Sequence, residues 1–442
     1  MGSSIEAPSG PKSASCRRSG QVGYKEAPTG PLVTLPPFRH SDFDGELGSV
    51  FARLKKEIAT TYLDFEAKAT KSWGEIIAEL GGAVASIEGK GSNCIPQVKF
   101  QDLETLDAET VARIKRVGTV VIRDIVDDEE AAKWKDDLKQ FAKDNPEVDG
   151  KLSIEFWTKP QVKARSHPNL IAASKFLNQL YHLKSGSSSS QLEGVDLSVP
   201  LTIRKPGQAW GFHPPHIDDG KNPEFRKCFE DILEGKWKEH DPYDLAGRFG
   251  ARTSLYGRPS QSTVFRTFQG WLAMRRHRVK GTLQVFPDVL LSNAYIILRP
   301  FFRPRTPAAS SSDALNDPKN WEFDVTDPLF HGIRPRDGGY QGPMPTPELH
   351  PHLQLEKTMI SIPKVYPGDA TPMNLAYVAR QKECFLQGER PPDFPKGKGE
   401  KGWVGVASEE DIISPAGRVA IGFVELWALI EFQASVMRDT CT

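Results

Sequence analysis

The sequence predicts an α+β chain, a helical N-terminal part followed by a β-rich part whose strands pack as a jelly roll. Two observations predict it. Apolar residues recur at helical spacing up to about residue 183, and from Val199 onward they shorten into strand-length runs between Pro- and Gly-rich connections. A length of 442 residues suffices for one large elaborated core or two smaller ones.

Residues 1–37 are rich in Ser, Gly and Pro without periodicity, which predicts a disordered tail. Residues 38–198 hold the helical part. Leu47, Val50, Phe51, Leu54 and Ile58 mark a first helix, and Trp73, Ile76, Ile77 and Leu80 a second. A third is expected from Ala108 to Arg116, stopping at Gly118 before a strand at Thr119 to Arg123. Asp127 or Asp128 caps a fourth, with Ala131, Trp134, Leu138 and Phe141 on one face and a stop at Asn145-Pro146. A helix after Ser166-His167-Pro168-Asn169 runs to about Leu183. Both His167 and His182 fit capping or surface roles.

Residues 199–422 form the β-rich core, with strands expected at Val199–Arg204, Thr263–Ala273, Gly281–Phe286, Ala294–Phe302 and Met359–Tyr366. The Pro-rich stretch 303–347 is too long for an ordinary loop and reads as an insertion or lid. Residues 423–442 form an atypical tail.

The chemistry concentrates at Phe212-His213-Pro214-Pro215-His216-Ile217-Asp218-Asp219-Gly220. On extended chain, His216 and Asp218 point to the same face. With a second histidine they make the two-His-one-carboxylate triad that holds Fe(II) and leaves positions open. The spacing alone is weak, because 10 His and 57 Asp+Glu give about one His-x-acid by chance. His40-Ser41-Asp42 is read as that chance instance.

Composition excludes several classes. Lys+Arg and Asp+Glu are both 57, so no net field recruits nucleic acid or an anionic membrane. No run of about twenty apolar residues offers a spanning helix. No apolar signal core follows Arg17-Arg18, and Cys16, Cys94, Cys228, Cys384 and Cys441 form neither a metal-type pair nor a disulfide framework, which favours a reducing cytoplasm. Dinucleotide fingerprint, phosphate loop, His-Glu-x-x-His and Gly-x-Ser-x-Gly patterns are absent.

An ordered set of motifs carries a resemblance. His216-Ile-Asp-Asp-Gly220, Trp237-Lys-Glu-His-Asp241-Pro-Tyr-Asp244, Phe265-Arg266-Thr-Phe-Gln269-Gly-Trp271, Gly281-Thr-Leu-Gln-Val-Phe-Pro287, Leu298-Arg-Pro-Phe-Phe302, His350-Pro-His-Leu353 and Pro367-Gly-Asp369 follow in sequence. From about Leu35 to Gly422 the chain resembles the YbiU-like domain-of-unknown-function family, which is similar to phytanoyl-CoA-type Fe(II)/2-oxoglutarate dioxygenases. The resemblance implies a double-stranded β-helix core with a helical collar, His216 and Asp218 as iron ligands, and 2-oxoglutarate as co-substrate. Oxygen and a small organic molecule are then the partners.

The same comparison shows a departure. In the family the Pro-Gly-Asp turn leads into a segment with the distal iron histidine, but here Asp369-Ala370 runs straight into Thr371-Pro372-Met373. No histidine follows His352. His352 or His350 is the available substitute third ligand, and hydrogen bonding at a loop-to-strand junction is the competing assignment. His331, His240 and His277 are expected to meet water.

The distal carboxylate of 2-oxoglutarate needs a cation, and an arginine offers a two-pronged donor. Arg266 and Arg204 lie on expected strands near the pair. Phe268, Gln269 and Trp271 are candidates to line the cavity, with plain core packing as the alternative. Two functional readings follow, an Fe(II)/2-oxoglutarate-dependent hydroxylase and an inactive or truncated relative that acts as a binding module.

Overall fold

The computed structural model describes residues 46–145, 157–183, 226–247, 268, 270, 272–274, 283–306, 312–333, 344–366, 378–390, 399–421 and 423. The stretch 1–37, the strand expected at Val199–Arg204 and the residues after Phe423 lie outside the described residues.

Helices α1 (Glu46–Thr61) and α2 (Phe65–Lys90) open the fold. Along α2, Phe65, Ala69, Trp73, Ile76, Ile77, Leu80, Val84 and Ile87 form one buried stripe at spacings of three and four. A parallel βαβ unit follows. Strand β1 (Gln97–Lys99) and strand β2 (Val121–Arg123) pair in register Val98 to Ile122, and α3 (Ala108–Val117) connects them. Asp107 caps α3 by accepting from the Thr110 N–H at 2.6 Å. Gly118 ends it in the left-handed region at φ 73°, its N–H donating to Ile114 O at 2.9 Å.

Asp127 caps α4 (Asp128–Asp144), accepting from the N–H groups of Glu129 and Glu130. Helix α5 (Lys159–Arg165) starts from a capping box of Thr158 and Gln161, and α6 (Pro168–Gln179) follows. The helix expected to reach Leu183 stops at Gln179. Its last turn tightens, and His182 then leaves to exchange main-chain hydrogen bonds with Tyr243 and Leu245 at 3.0 and 2.8 Å.

Short helix α7 (Glu230–Leu233) precedes β3 (Gln284–Val285). The strand expected at Ala294–Phe302 is a correction. Helix α8 (Val289–Leu298) occupies most of it, capped by Asp288, and a 3-10 turn leads to strand β4 (Phe302–Pro304). An apolar run this continuous has no period to separate a buried helix from a buried strand.

Within the expected insertion, α9 (Ser312–Asn316) and β5 (Trp321–Phe323) follow, and β5 pairs antiparallel with β4. Helix α10 (Leu355–Thr358) leads to β6 (Ile360–Ser361), antiparallel to β3. Two of the expected strand regions are thus laddered to each other. Among the described residues there are three two-stranded sheets. Helices α11 (Val378–Gln387) and α12 (Pro415–Ile421) complete the described chain.

The largest cluster packs α2 against α8, β4 and β5. A second joins β2, α3, α4 and α6 with Tyr243, Leu245 and Phe268. The C-terminal helices dock on the N-terminal frame. Trp157 meets Phe385 edge-on at 5.3 Å and donates from Nε1 to Glu389 O at 2.7 Å. Asn145 both donates to and accepts from the Val404 main chain, each at 2.9 Å.

Gly118 and Gly82 give a contrast. A Cβ on Gly118 would enter Val289 Cγ2 on a positive-φ backbone, whereas a Cβ on Gly82, inside α2, meets nothing within 4 Å. Urea unfolding of Gly118→Ala is expected to show a loss of about 2–4 kcal/mol. Gly82→Ala should be neutral or stabilising by about 0.5–1 kcal/mol. Equal effects would contradict the packing described.

Candidate functional site

The residues expected to hold iron and 2-oxoglutarate, His216, Asp218, Arg204 and Arg266, lie outside the described residues, as do Gln269, Trp271 and His277. Phe268 is described. It is buried among the second cluster, with its ring 5.6 Å from Tyr181 and 6.2 Å from Tyr243.

His350 and His352 sit in the polar centre of the largest cluster. The stretch 350–353 forms a 3-10 turn after His350, and the left-handed Gln354 (φ 43°) redirects the chain into α10. His352 is 1 % exposed and uses both ring nitrogens. Its Nε2 lies 2.9 Å from Leu315 O, so that nitrogen carries the proton; Nδ1 then accepts from the Tyr295 hydroxyl at 3.1 Å. Trp73 and Trp321 flank the ring at 5.4 and 4.7 Å. Burial pushes the imidazole down to about 3, so it stays neutral.

His350 is fully buried, and its Nδ1 accepts from the Thr346 N–H at 3.2 Å. Its lone pair is thereby occupied, leaving Nε2 as an N–H without a partner. His331, expected in water, is buried with its ring centroid 6.3 Å from that of His350, which corrects the expectation. Burial and the Arg299 charge hold both imidazoles well below the usual histidine range. His240, also expected in water, is buried and its Nε2 lies 3.3 Å from Asn293 Nδ2.

Two cations complete the centre, and sequence reasoning passed over both. Arg299 is buried, donating from Nε to Leu349 O at 2.7 Å and from Nη1 to Phe302 O at 2.5 Å, with its guanidinium 5.0 Å above the Trp321 ring. Lys55 is 1 % exposed and donates to Asp327 O at 2.9 Å. Burial lowers its ammonium to about 8, against the pull of Asp327 and Asp324. Its signal was a lysine at the core-facing spacing of Phe51 and Ile58. These groups fasten backbone carbonyls and rings within the core.

The Trp237–Asp244 motif resolves into a turn. Trp237 is buried and donates from Nε1 to Glu75 Oε2 at 3.0 Å. Asp241 and Asp244 accept from the N–H groups of Tyr243 and Ala246 at 2.9 and 3.0 Å. Asp241 Oδ2 also lies 3.1 Å from His182 Nε2. Among the described residues no group of three or more His, Cys, Asp or Glu side chains is placed to hold a metal ion, and no helix is long and apolar enough to cross a membrane.

A model of the Gig2-like family matches residues 45–372 and 370–423. The chain belongs to the Gig2-like family. The uncharacterized protein YbiU of Escherichia coli (strain K12) is 24 % identical over 436 residues, covering 86 % of this chain and 92 % of YbiU. GlcNAc Inducible Gene 2 (GIG2, DUF1479) of Candida albicans superposes with a TM-score of 0.68 at 23 % identity, over 85 % of this chain and 90 % of that one. The "Putative Oxidoreductase" of Salmonella typhimurium LT2 superposes with a TM-score of 0.63 at 22 % identity, over 88 % of this chain and 100 % of that one. At such identities the two structures establish a shared fold.

The buried neutral histidines predict acid sensitivity. The His352 imidazole titrates near 6.5 when unfolded and about 3 when folded. The unfolded state therefore takes up the proton first, and stability is lost as pH falls below about 6.5. His352→Leu is expected to cost about 2–4 kcal/mol at pH 7, mainly through the unsatisfied Leu315 carbonyl and lost packing, and to show a shallower decline toward pH 5. Urea unfolding at both values checks this. An unchanged decline would contradict the assignment.

Proposed function

We propose that the chain is an Fe(II)/2-oxoglutarate-dependent oxygenase by architecture, a double-stranded β-helix with an N-terminal helical collar, and that its iron rests on His216 and Asp218. The observation that carries this reading is the His216-Ile217-Asp218 pair within the ordered motif set. Membership of a family with a structural neighbour named an oxidoreductase supports it.

The donor chemistry suits ferrous iron, an imidazole nitrogen beside a carboxylate oxygen. When bound, iron would supply oxygen activation, with 2-oxoglutarate as the co-substrate that is oxidised to succinate. Arg266 or Arg204 would clamp the far carboxylate of that co-substrate through a two-pronged pair of N–H donors. The third donor is the weak point. His352 and His350 both have their lone pairs engaged by protein donors. Two protein ligands hold iron less tightly than three and define its open positions less well.

A specific observation favours the second reading, an inactive or truncated relative. The family match falls into two pieces that meet at residues 370–372, where the segment bearing the distal histidine is expected and not found. The YbiU alignment spans 436 positions while using 86 % of this 442-residue chain, so the relative carries residues that this chain lacks.

Succinate release from 2-oxoglutarate under Fe(II) and oxygen separates the two. Formation that His216→Ala abolishes, and that His352→Gln and His350→Gln retain, supports the oxygenase. No formation by this chain, together with turnover by a longer transcript product carrying a histidine-bearing segment after Asp369, establishes a truncated relative. Turnover unaffected by His216→Ala removes the iron assignment altogether.

A further inference from the structure

We infer that the polar centre is a binding site for a small inorganic anion of chloride size, held by His350 and His331 as the counter-ion of Arg299 and Lys55. Two buried imidazole nitrogens point to it. The Thr346 N–H fills the Nδ1 lone pair of His350 at 3.2 Å, so Nε2 carries the proton, and that N–H is buried without a partner. Nδ1 of His331 is likewise buried and unpartnered, and the two ring centroids are 6.3 Å apart. With its proton on Nδ1, His331 supplies a second donor. Gly332 makes the close approach possible. At φ 83° it turns the chain beneath His350, where a Cβ would stand 3.2 Å from His350 Cε1 and 3.1 Å from Met344 N and O.

Charge decides the occupant. Arg299 is buried and keeps its positive charge, yet its hydrogen bonds go to neutral groups, the Leu349 and Phe302 carbonyls and the Tyr295 hydroxyl. Lys55 remains largely charged at pH 7, with its ammonium at about 8, and donates to the Asp327 carbonyl. Among the described residues neither cation has a carboxylate within 4.0 Å. The two acids that pull on Lys55 are committed elsewhere. Asp327 Oδ1 accepts from the Leu329 N–H at 2.7 Å, and Asp324 Oδ1 accepts from the Thr326 N–H and hydroxyl, each at 2.7 Å. Asp324 Oδ2 lies 3.4 Å from Arg303 Nη1. A buried guanidinium without a paired anion is destabilising, and an internal anion removes that penalty.

Arg299 stands beside the histidines themselves. Its Nε lies 2.7 Å from Leu349 O, the carbonyl of the peptide group that His350 completes. Its charge holds both imidazoles down, and that of Lys55 adds to it at His331, so the unpartnered nitrogens sit in positive potential. The Tyr295 ring, 6.1 Å from that of His350, and Gly332 bound the site, which favours an ion the size of a halide over a carboxylate. An ordered water is the competing occupant. It would take the same hydrogen bonds but bring no charge to either cation.

Bromide is the probe and the metal-free full chain, dialysed into isethionate, is the sample, so the result does not depend on oxygenase activity. Anomalous diffraction from crystals grown in bromide is expected to show an ion in contact with His350 Nε2. Thermal unfolding in sodium bromide or chloride, against sodium isethionate at equal ionic strength, should show a saturable rise of about 2 °C or more. Lys55→Met and His350→Phe are expected to remove most of that rise. Should either variant fail to fold, the map of the unaltered chain decides alone. Bromide at surface positions only, an adventitious ion only, overturns the inference. So does a centre that holds water or nothing in that map, or an unfolding temperature equal in halide and isethionate.

Discussion

The placement of Trp73 is the contact on which the described fold depends. Its indole stacks on Phe302 at 4.7 Å and on Tyr295 at 5.3 Å, and meets Trp321 and His352 edge-on. One side chain of α2 thus gathers α8, the β4–β5 pair and the turn before α10. Each aromatic pair adds about 0.5–1.5 kcal/mol beyond burial, and its geometric preference fixes the angle at which each element arrives. The hydroxyl of Tyr295, held against the indole, reaches the His352 Nδ1 lone pair that the Leu315 carbonyl at Nε2 leaves free to accept. Packing thus fixes the His352 hydrogen bonds, while Trp73 Nε1, His331 Nδ1 and His350 Nε2 in the same centre are buried without a hydrogen-bond partner among the described residues.

The C-terminal helices are anchored separately. Phe385, Ile412 and Ile421 pack with Trp157 and Ile171, and Ser414 Oγ donates to Ser166 O at 2.5 Å. On the other side of the 370–372 junction, Ile360, Ile362 and Val365 pack with Val117 and Val121. Each flank thus has its own apolar contacts with the N-terminal frame. A segment lost between them would leave those contacts standing, while removing whatever strand edges and ligands the segment supplied.

Most of the helical half was legible, because its apolar residues keep a clean period and its ends carry strong signals. Asp127 caps α4 and Gly118 ends α3 where their chemistry says they should. The Ala294–Phe302 run was misread because nearly every residue in it is apolar, and period is the only local cue that separates the two states. His331 and His240 were misplaced for a related reason. Polar residues in Pro-rich connections look solvated locally, and only distant rings and main-chain groups bury them. The iron pair and the candidate arginines were read from spacing and motif order, and they fall outside the described residues. His350 and His352 make hydrogen bonds around the 3-10 turn that leads into α10, accepting from the Thr346 N–H and the Tyr295 hydroxyl.

If the core employs His350 and His352 structurally, the proposed His216–Asp218 pair offers iron a single imidazole, that of His216. X-ray absorption spectroscopy of the Fe(II)-loaded full chain counts bound imidazoles directly. The account predicts a single imidazole in the coordination shell, lost in His216→Ala and retained in His352→Gln. Two imidazoles, with one lost in His352→Gln or His350→Gln, would contradict it.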